Sequence, residues 1–389
     1  MDLINSQLKM MIATARRIAR EKIEPLVPEI DPTGEFPWEM YGILKDNGFI
    51  NLTIPEDYGG LGLDFWEAGM IAEEIAQVDV VPAHIICHQS MVLLPIVDAG
   101  TAEQRDYFLR KAAEESLLAA FALTEPNAGS DAGGVTTSAL RKGDRYILNG
   151  TKQFVTLGSV AEIICLFATT KPGKRHEGIT AFLLEKGTPG LSIGKHEDKM
   201  GVRGLDTTAL ILDDAEVPMN NRLGAEGEGF KVAMRALNMG RLGVGFMCVG
   251  LAQGSLDYAL SYARERHQFG KSIAEFQAVQ FILSDMATEI EAARSLVYEC
   301  SRLVKNRNPD DREIRKRCSM VKYFCSDMAM KVTTDGLQVL GGYGYMKDYP
   351  QEKRMRDAKV YQILEGTNQI QRIVVARELI KDGEKRHSL

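Results

Sequence analysis

One carboxylate, Glu365, stands between Ile363-Leu364 and Gly366-Thr367 in the stretch YQILEGTNQIQR, residues 361–372. A carboxylate held among aliphatic side chains is desolvated, which raises its pKa and makes it a usable base. The same stretch also reads as a solvated turn, with Thr367 or Asn368 capping a helix that carries Ile370, Ile373 and Val374. The other reactive or ligand-binding residue types in the chain have to decide between the two.

In FALTEPNAGSD, residues 121–131, an apolar strand ends in Thr124, Glu125 and Pro126, and a small-residue turn is closed by Ser130 and Asp131. Such a turn offers backbone N–H groups and hydroxyls without bulk, as a pyrophosphate or the polar edge of a planar ring requires; a plain hairpin corner has the same composition. ARERHQFGKSIAEFQ brings Arg264, Arg266, Gln268 and Phe269 to a helix end, either a phosphate clamp with an aromatic wall or an ordinary charged terminus. HIICH sets His84 and His88 one helical turn apart, a chelating spacing. The third ligand is missing, so no metal is expected. GAEGEG and LGGYGY are glycine-rich, but neither is a GxGxxG in a strand-to-helix turn, which disfavours a Rossmann nicotinamide site.

These residues belong to a chain of 389 residues, 45% hydrophobic and 26% charged, long enough for two or three packed units. A net charge of -6 gives no footprint for a phosphate backbone, so nucleic acid is not an expected partner. Six cysteines without a CxxC pair suit a reducing compartment and read as small buried hydrophobes. The N-terminus has early charges and helical spacing instead of a signal-peptide core, so a cytoplasmic protein is expected. The longest apolar run, residues 242–252, is too short for a membrane span. The C-terminal HSL resembles the peroxisomal SKL address only with His387 in place of lysine.

Three segments of different rhythm must position the candidate residues. Residues 1–118 read as an all-α domain, beginning with Leu8, Met11, Ile12, Ala15 and Ile18, stopping near Pro25, and later carrying a Thr101–Gln104 capping box. Residues 119–225 read as a β domain from YILNGTKQFVTL, EIICLFATT, ITAFLLE and TTALILDDAEVP. Residues 226–389 read as long amphipathic helices, about 227–266, 275–305, 311–336 and from 368, joined as an antiparallel bundle. The glycines of GRLGVGFMCVG weaken a helix and imply close approach of backbone or ligand. The fold class is α+β.

Four segments in fixed order, ALTEPNAGSD, ERHQFGK, LQVLGGYGY and MRDAKVYQILEGTNQIQR, resemble the acyl-CoA dehydrogenase family, and the resemblance covers essentially the whole chain. It implies an N-terminal helical domain, a central β domain and a C-terminal four-helix bundle, assembled as a homotetramer with one FAD per subunit. Phe121, Leu123, Thr124, Gly129 and Ser130 match positions that line the flavin ring and ligand, and Phe154 and Thr156 match positions beside the flavin. Phe154 replaces a common Trp and Leu157 a common Asn, a changed surface toward the electron acceptor.

Arg266, Gln268, Phe269, Gln338 and Gly342 match contacts to FAD across a subunit interface, and Thr367 and Gln369 match cofactor contacts after the base. Asn238, where many relatives have Asp, and Arg241 match a clamp for the CoA substrate; Ser130, Leu364 and Gly366 complete the implied substrate contacts. Glu365 occupies the catalytic-base position, removing the α-proton of an acyl-CoA while hydride leaves the β-carbon for the flavin. The other base position known among relatives is Gly240 here. The resemblance implies an acyl-CoA dehydrogenase passing electrons to an electron-transfer flavoprotein. Its rivals are an acyl-CoA oxidase, an enoyl-CoA reductase using the same site backwards, and a flavin-free binding protein that kept the fold. Pro82 stands where glutaryl-type relatives have arginine, and Leu364 where many straight-chain enzymes have Tyr, so a short, α-branched or alicyclic acyl group is expected, with an unbranched short or medium chain as the alternative.

Overall fold

Helices dominate residues 6–115 because apolar side chains recur there at helical spacing between polar caps. The computed structural model describes residues 5–305 and 310–387, so Ser388 and Leu389 of the HSL terminus lie outside the described residues. α1, Ser6–Ile18, starts where Asn5 Oδ1 accepts the Leu8 N–H at 2.7 Å. Its helical path does not stop at the predicted Pro25: a wide turn over Ala19–Ile23 and a tight one over Glu24–Leu26 lead into α2, Val27–Thr33. Proline is tolerated in a first turn, where its missing N–H has no partner to lose. α3 (Trp38–Asp46), α4 (Phe65–Ala76), α5 (Val80–Ala99), α6 (Ala102–Gln104) and α7 (Arg110–Glu115) follow. Thr101 and Gln104 form the expected reciprocal cap, at 2.9 and 3.2 Å. By length and composition α5 could cross a bilayer, but 89% of its most apolar window is buried within this chain.

The chain then changes to strands: β1 (Ala119–Ala122), β2 (Ser138–Lys142), β3 (Arg145–Thr156), β4 (Ile163–Thr169), β5 (Ile179–Glu185), β6 (Leu191–His196), β7 (Thr207–Pro218) and β8 (Arg222–Leu223). They form one sheet in the order β6-β7-β3-β2-β4-β5-β8, with β1 parallel to β4 so that Phe121 pairs with Cys165. β6 escaped the sequence reading because it presents no fully buried residue. One face of the sheet packs Phe167, Ala181 and Leu183 against Met91, Ile96 and Phe108; the other encloses Tyr146, Leu166, Phe182 and Leu212.

The C-terminal helices are α8 (Gly229–Glu265), α9 (Gln277–Lys305), α10 (Arg312–Leu340), α11 (Gln351–Tyr361) and α12 (Asn368–His387), with a two-residue hairpin, β9 (His267–Gln268) and β10 (Lys271–Ser272), between α8 and α9. α8, α9 and α10 share one core with α4 and α5 through Phe246, Val297, Val321, Ile71 and Ile85. The glycines of α8 are explained by close approach, since a Cβ on Gly254 would overlap the Gln77 carbonyl at the end of α4. Six cysteines are free and buried. A buried cation joins the domains just before the candidate base: Lys353 Nζ lies 2.5 Å from Asp79 and 2.6 Å from Asp357, and Asp357 Oδ1 accepts the Val202 N–H at 2.5 Å.

Candidate active site

α11 ends at Tyr361, and the chain reverses through two successive left-handed residues, Glu365 at φ +55° and Gly366 at φ +88°. Glycine takes that conformation freely, whereas a glutamate in it costs on the order of 1 kcal/mol or more and persists only where its surroundings hold it. They do so by hydrogen bonds to the loop carbonyls. Gln371 Nε2 donates to the carbonyls of Glu365 and Gly366, both at 3.1 Å, and Lys322 Nζ donates at 2.8 Å to the Gly366 carbonyl and to Asn368 Oδ1. Asn368 in turn donates to Asp327 at 2.8 Å, fastening the loop to α10. Thr367 Oγ1 accepts the Ile370 N–H at 3.3 Å, so the capping role and the base role read from this stretch coexist.

Glu365 as a residue is half-buried, but its Oε2 is shielded from solvent and has no hydrogen-bond partner. Burial raises the carboxyl to about 7, against the pull of the Arg241 and Lys322 cations. Burial also lowers Lys322 to about 8. A carboxyl near 7 divides between both protonation states at neutral pH, as an efficient general base requires. α8 supplies the facing wall: Arg241 Nε reaches the Glu365 carbonyl at 3.4 Å and its Nη1 donates to Asn238 Oδ1 at 2.9 Å. Gly240 lies against the carboxylate, since a Cβ there would be 2.6 Å from Glu365 Cδ and Oε1 and closer still to Oε2. Asn238 and Arg241 are thus placed at the base, as buried side chains paired to each other.

The remaining candidates fall into two groups. On the β domain, Gln153 donates its N–H to the Thr124 carbonyl at 2.8 Å, which sets Thr124 beside Phe154 and Thr156 on β3. Phe154, at a bulge of β3 with φ +55°, is 62% exposed, and Phe121 leans on Phe167 with ring centroids 4.8 Å apart. Leu123 is buried, and Gly129 and Ser130 form an open turn. That turn hangs on Glu125, which accepts the N–H groups of Thr136 and Thr137 at 2.7 and 2.9 Å and pairs with Lys152 at 2.7 Å. Burial alone would raise the Glu125 carboxyl, but Lys152 and these donors outweigh it and hold it at about 2.

In the second group Arg266, Gln268, Gln338 and Gly342 line one open cleft of about 470 Å³, where the Arg266 guanidinium lies 5.3 Å from the Tyr343 ring centroid. Phe269 beside it is 94% exposed, and Gln369 is exposed on α12. Leu364 is half-buried next to the base and packs on the helical core. Sequence reasoning missed Lys322 and Gln371, the two side chains that hold the base loop. Lys322 carried a signal: it follows Val321 and sits four residues after Cys318 and three before Cys325, on the apolar stripe of α10 where a lysine has no place unless it is paired.

The three comparisons with known proteins agree with this geometry. Family models for the N-terminal, middle and C-terminal domains of acyl-CoA dehydrogenase match residues 5–116, 120–215 and 227–380. The chain is 43% identical to an acyl-CoA dehydrogenase of Bacillus subtilis (strain 168) over 97% of this chain and 99% of the relative. It is 42% identical to a cyclohex-1-ene-1-carbonyl-CoA dehydrogenase of Syntrophus aciditrophicus (strain SB) over 98% and 91%. Among solved structures, butyryl-CoA dehydrogenase of Megasphaera elsdenii superposes with TM-score 0.92 at 39% identity, covering 98% of this chain and all of that one. A chain from a structure described as the electron transferring flavoprotein of Acidaminococcus fermentans superposes with TM-score 0.93 at 44% identity over 97% and 99%.

A helical, β and helical architecture around a glutamate whose Oε2 is shielded and unpartnered suits an oxidoreductase that takes a proton from beside a thioester. The chain belongs to the acyl-CoA dehydrogenase family. Members of the family are FAD-dependent, and the residues here fit that cofactor. The open turn at Gly129-Ser130 with exposed Phe154 suits a planar ring, and the Arg266 cleft suits a phosphate with an aromatic neighbour.

Proposed function

We propose that this enzyme dehydrogenates a short, α-branched or alicyclic acyl-CoA at its α,β bond, giving the 2-enoyl-CoA, with Glu365 as the base and an electron-transfer flavoprotein as the electron acceptor. The observation that carries the reading is the buried Glu365 Oε2 without a partner and with its pKa raised to about 7. Bound FAD supplies the acceptor for the β-hydrogen and its electron pair. Glu365 Oε2 takes the α-proton. Among the described residues no acceptor takes the Glu365 N–H, so that donor is available to the thioester oxygen as negative charge develops there. Arg241 and Lys322 keep the carboxyl ionisable in a site that would otherwise hold it protonated.

Leu364 in place of a tyrosine leaves room beside the α-carbon, and the similarity to a cyclohexene-carbonyl-CoA enzyme supports a ring or branch there. Similarity to a butyryl-CoA dehydrogenase favours the second reading, an unbranched short chain. The deciding experiment measures kcat/KM for isobutyryl-, 2-methylbutyryl-, cyclohexanecarboxyl-, butyryl-, octanoyl- and glutaryl-CoA on one preparation. The expected maximum lies among the first three, with differences of about 10-fold to 200-fold per misfitting methylene. A clear maximum at octanoyl- or glutaryl-CoA defeats the substrate reading.

Similarity to the Acidaminococcus chain supports the electron-transfer partner, and the reading includes a cytoplasmic homotetramer. Phe269, Phe281 and Tyr345, which are 94, 63 and 75% exposed, are large apolar surfaces suited to contact between copies. Arg266→Ala is expected to lose FAD and tetramer together, because a cofactor held between copies stabilises the assembly that binds it. Sizing chromatography with the flavin-to-protein absorbance ratio checks this, and a variant that stays fully flavinated contradicts it.

A further inference from the structure

The base is served by two buried cations, and neither has a carboxylate partner of its own. Arg241 donates to the Asn238 amide oxygen at 2.9 Å and reaches the Glu365 carbonyl at 3.4 Å, while Lys322 donates to the Gly366 carbonyl and the Asn368 amide oxygen, both at 2.8 Å. Elsewhere this chain matches buried cations with acids, as Lys152 with Glu125 at 2.7 Å and Lys353 with Asp79 and Asp357 at 2.5 and 2.6 Å. A guanidinium without a counter-charge is costly to bury, so the neutral partner at position 238 needs a reason. Arg241 and Asn238, 6 and 5% exposed, are three residues apart on one face of α8. Aspartate has the shape of asparagine and an oxygen that would hold Nη1 at least as well. What the amide changes is the charge.

That charge acts on the base. Arg241 of α8 and Lys322 of α10 pull the Glu365 titration down against burial, and the charge of Glu365 is felt in turn by Cys87 of α5. Around them, Arg315 and Cys318 of α10 act on Arg241, and Cys248 of α8 and Asp327 of α10 act on Lys322. Burial raises Cys87 and Cys248, so both thiols stay protonated, and Asp327 is paired with Arg372 at 2.6 Å. Glu365 is thus the one carboxylate among these groups that acts on Arg241. An aspartate at 238 would be a second. It would neutralise the guanidinium and add a like charge near Glu365, and both changes favour the protonated base. We propose that Asn238 is a positioning residue that holds the Arg241 guanidinium beside Glu365 as an unneutralised cation, and so sets the pH at which the base becomes active. The proposal rests on the reading of Glu365 as the base of a dehydrogenase and adds a residue that acts on it through Arg241.

The test uses the FAD-loaded enzyme and two readouts across pH: the rate of flavin reduction by butyryl-CoA, and the infrared band of the protonated Glu365 carboxyl, assigned by its absence in Glu365→Gln. Asn238→Asp is expected to raise both midpoints by about one pH unit, the lower end of what one adjacent charge does to a carboxyl. Flavin reduction is then about tenfold slower than in the parent at about pH 6 and within about twofold of it at about pH 9, where the base is ionised in both. Asn238→Ser, whose hydroxyl accepts from Arg241 in place of the amide, keeps the parent midpoint. Asn238→Leu, which offers no acceptor, releases the guanidinium and raises the midpoint. An unchanged midpoint in Asn238→Asp, or a rate lowered equally at every pH, overturns the inference. Should Asn238→Asp not fold, a parent midpoint in Asn238→Leu overturns it instead. If butyryl-CoA and the five other thioesters leave the flavin of the parent unreduced, the dehydrogenase reading falls, and the infrared midpoints still decide the role of Asn238.

Discussion

Glu365→Gln yields a protein that keeps its flavin, is reduced by acyl-CoA slower by about two decades or more, and is more stable than the parent at pH 8. The first effect follows from removing a positioned base while keeping shape, a change in the range such a base supplies. The second follows from the same burial. Unfolded, the carboxyl titrates near its ordinary 4.5; folded, burial moves it to about 7. Its contribution to folding is therefore fully present below pH 4.5, is lost progressively as pH rises toward 7, and is gone above that. At about 1.4 kcal/mol per tenfold change in the ionisation equilibrium, the loss is up to about 3 kcal/mol, and glutamine, which does not ionise, avoids it.

Two measurements check this. The rate of flavin reduction in the parent should rise with pH through about 7 and level off, because only the ionised carboxylate accepts the α-proton. The difference in denaturation midpoint between variant and parent should favour the variant more at pH 8 than at pH 5. Near-normal bleaching by the variant defeats the assignment of the base. A pH-independent stability difference defeats the burial argument on its own.

How far the sequence could be read depended on whether a residue's role was local. The Thr101–Gln104 cap, the long strands β3 and β7 and the helices α8, α9 and α10 were legible because each is set by spacing within one segment. β6 was not, because a strand without a buried face has no alternation to read. At the site, Glu365 was legible from its neighbours Leu364 and Gly366, but the reason its carboxyl titrates near 7 was not. That depends on burial in the folded chain, opposed in part by Arg241 from α8 and Lys322 from α10, which lie 124 and 43 positions away in the chain. The left-handed backbone at Glu365 was equally invisible, since non-glycine residues rarely take it and the surroundings that enforce it, Gln371 and Lys322, act through carbonyls. His84 and His88 show the converse. Their spacing was legible as a chelate, yet the fold sets His84 against the Tyr361 hydroxyl at 3.1 Å.

Gly240→Ala tests the fit of the wall that faces the base, and it separates site geometry from folding. Within α8 an alanine is favoured over glycine by up to about 1 kcal/mol, so the helix itself has no reason to weaken. The added methyl, however, would stand 2.6 Å from the Glu365 carboxyl carbon, inside van der Waals contact, so either the carboxylate or the loop must move. The carboxylate has the freer end, because the loop is fixed by Gln371 and Lys322. A displacement near 1 Å of a group that must meet an α-proton costs about two decades in rate. The expected variant is therefore folded and flavinated, with a melting temperature within a few degrees of the parent and kcat for flavin reduction lower by about 100-fold. Retention of full kcat would mean that the carboxylate works from a position other than the one against Gly240.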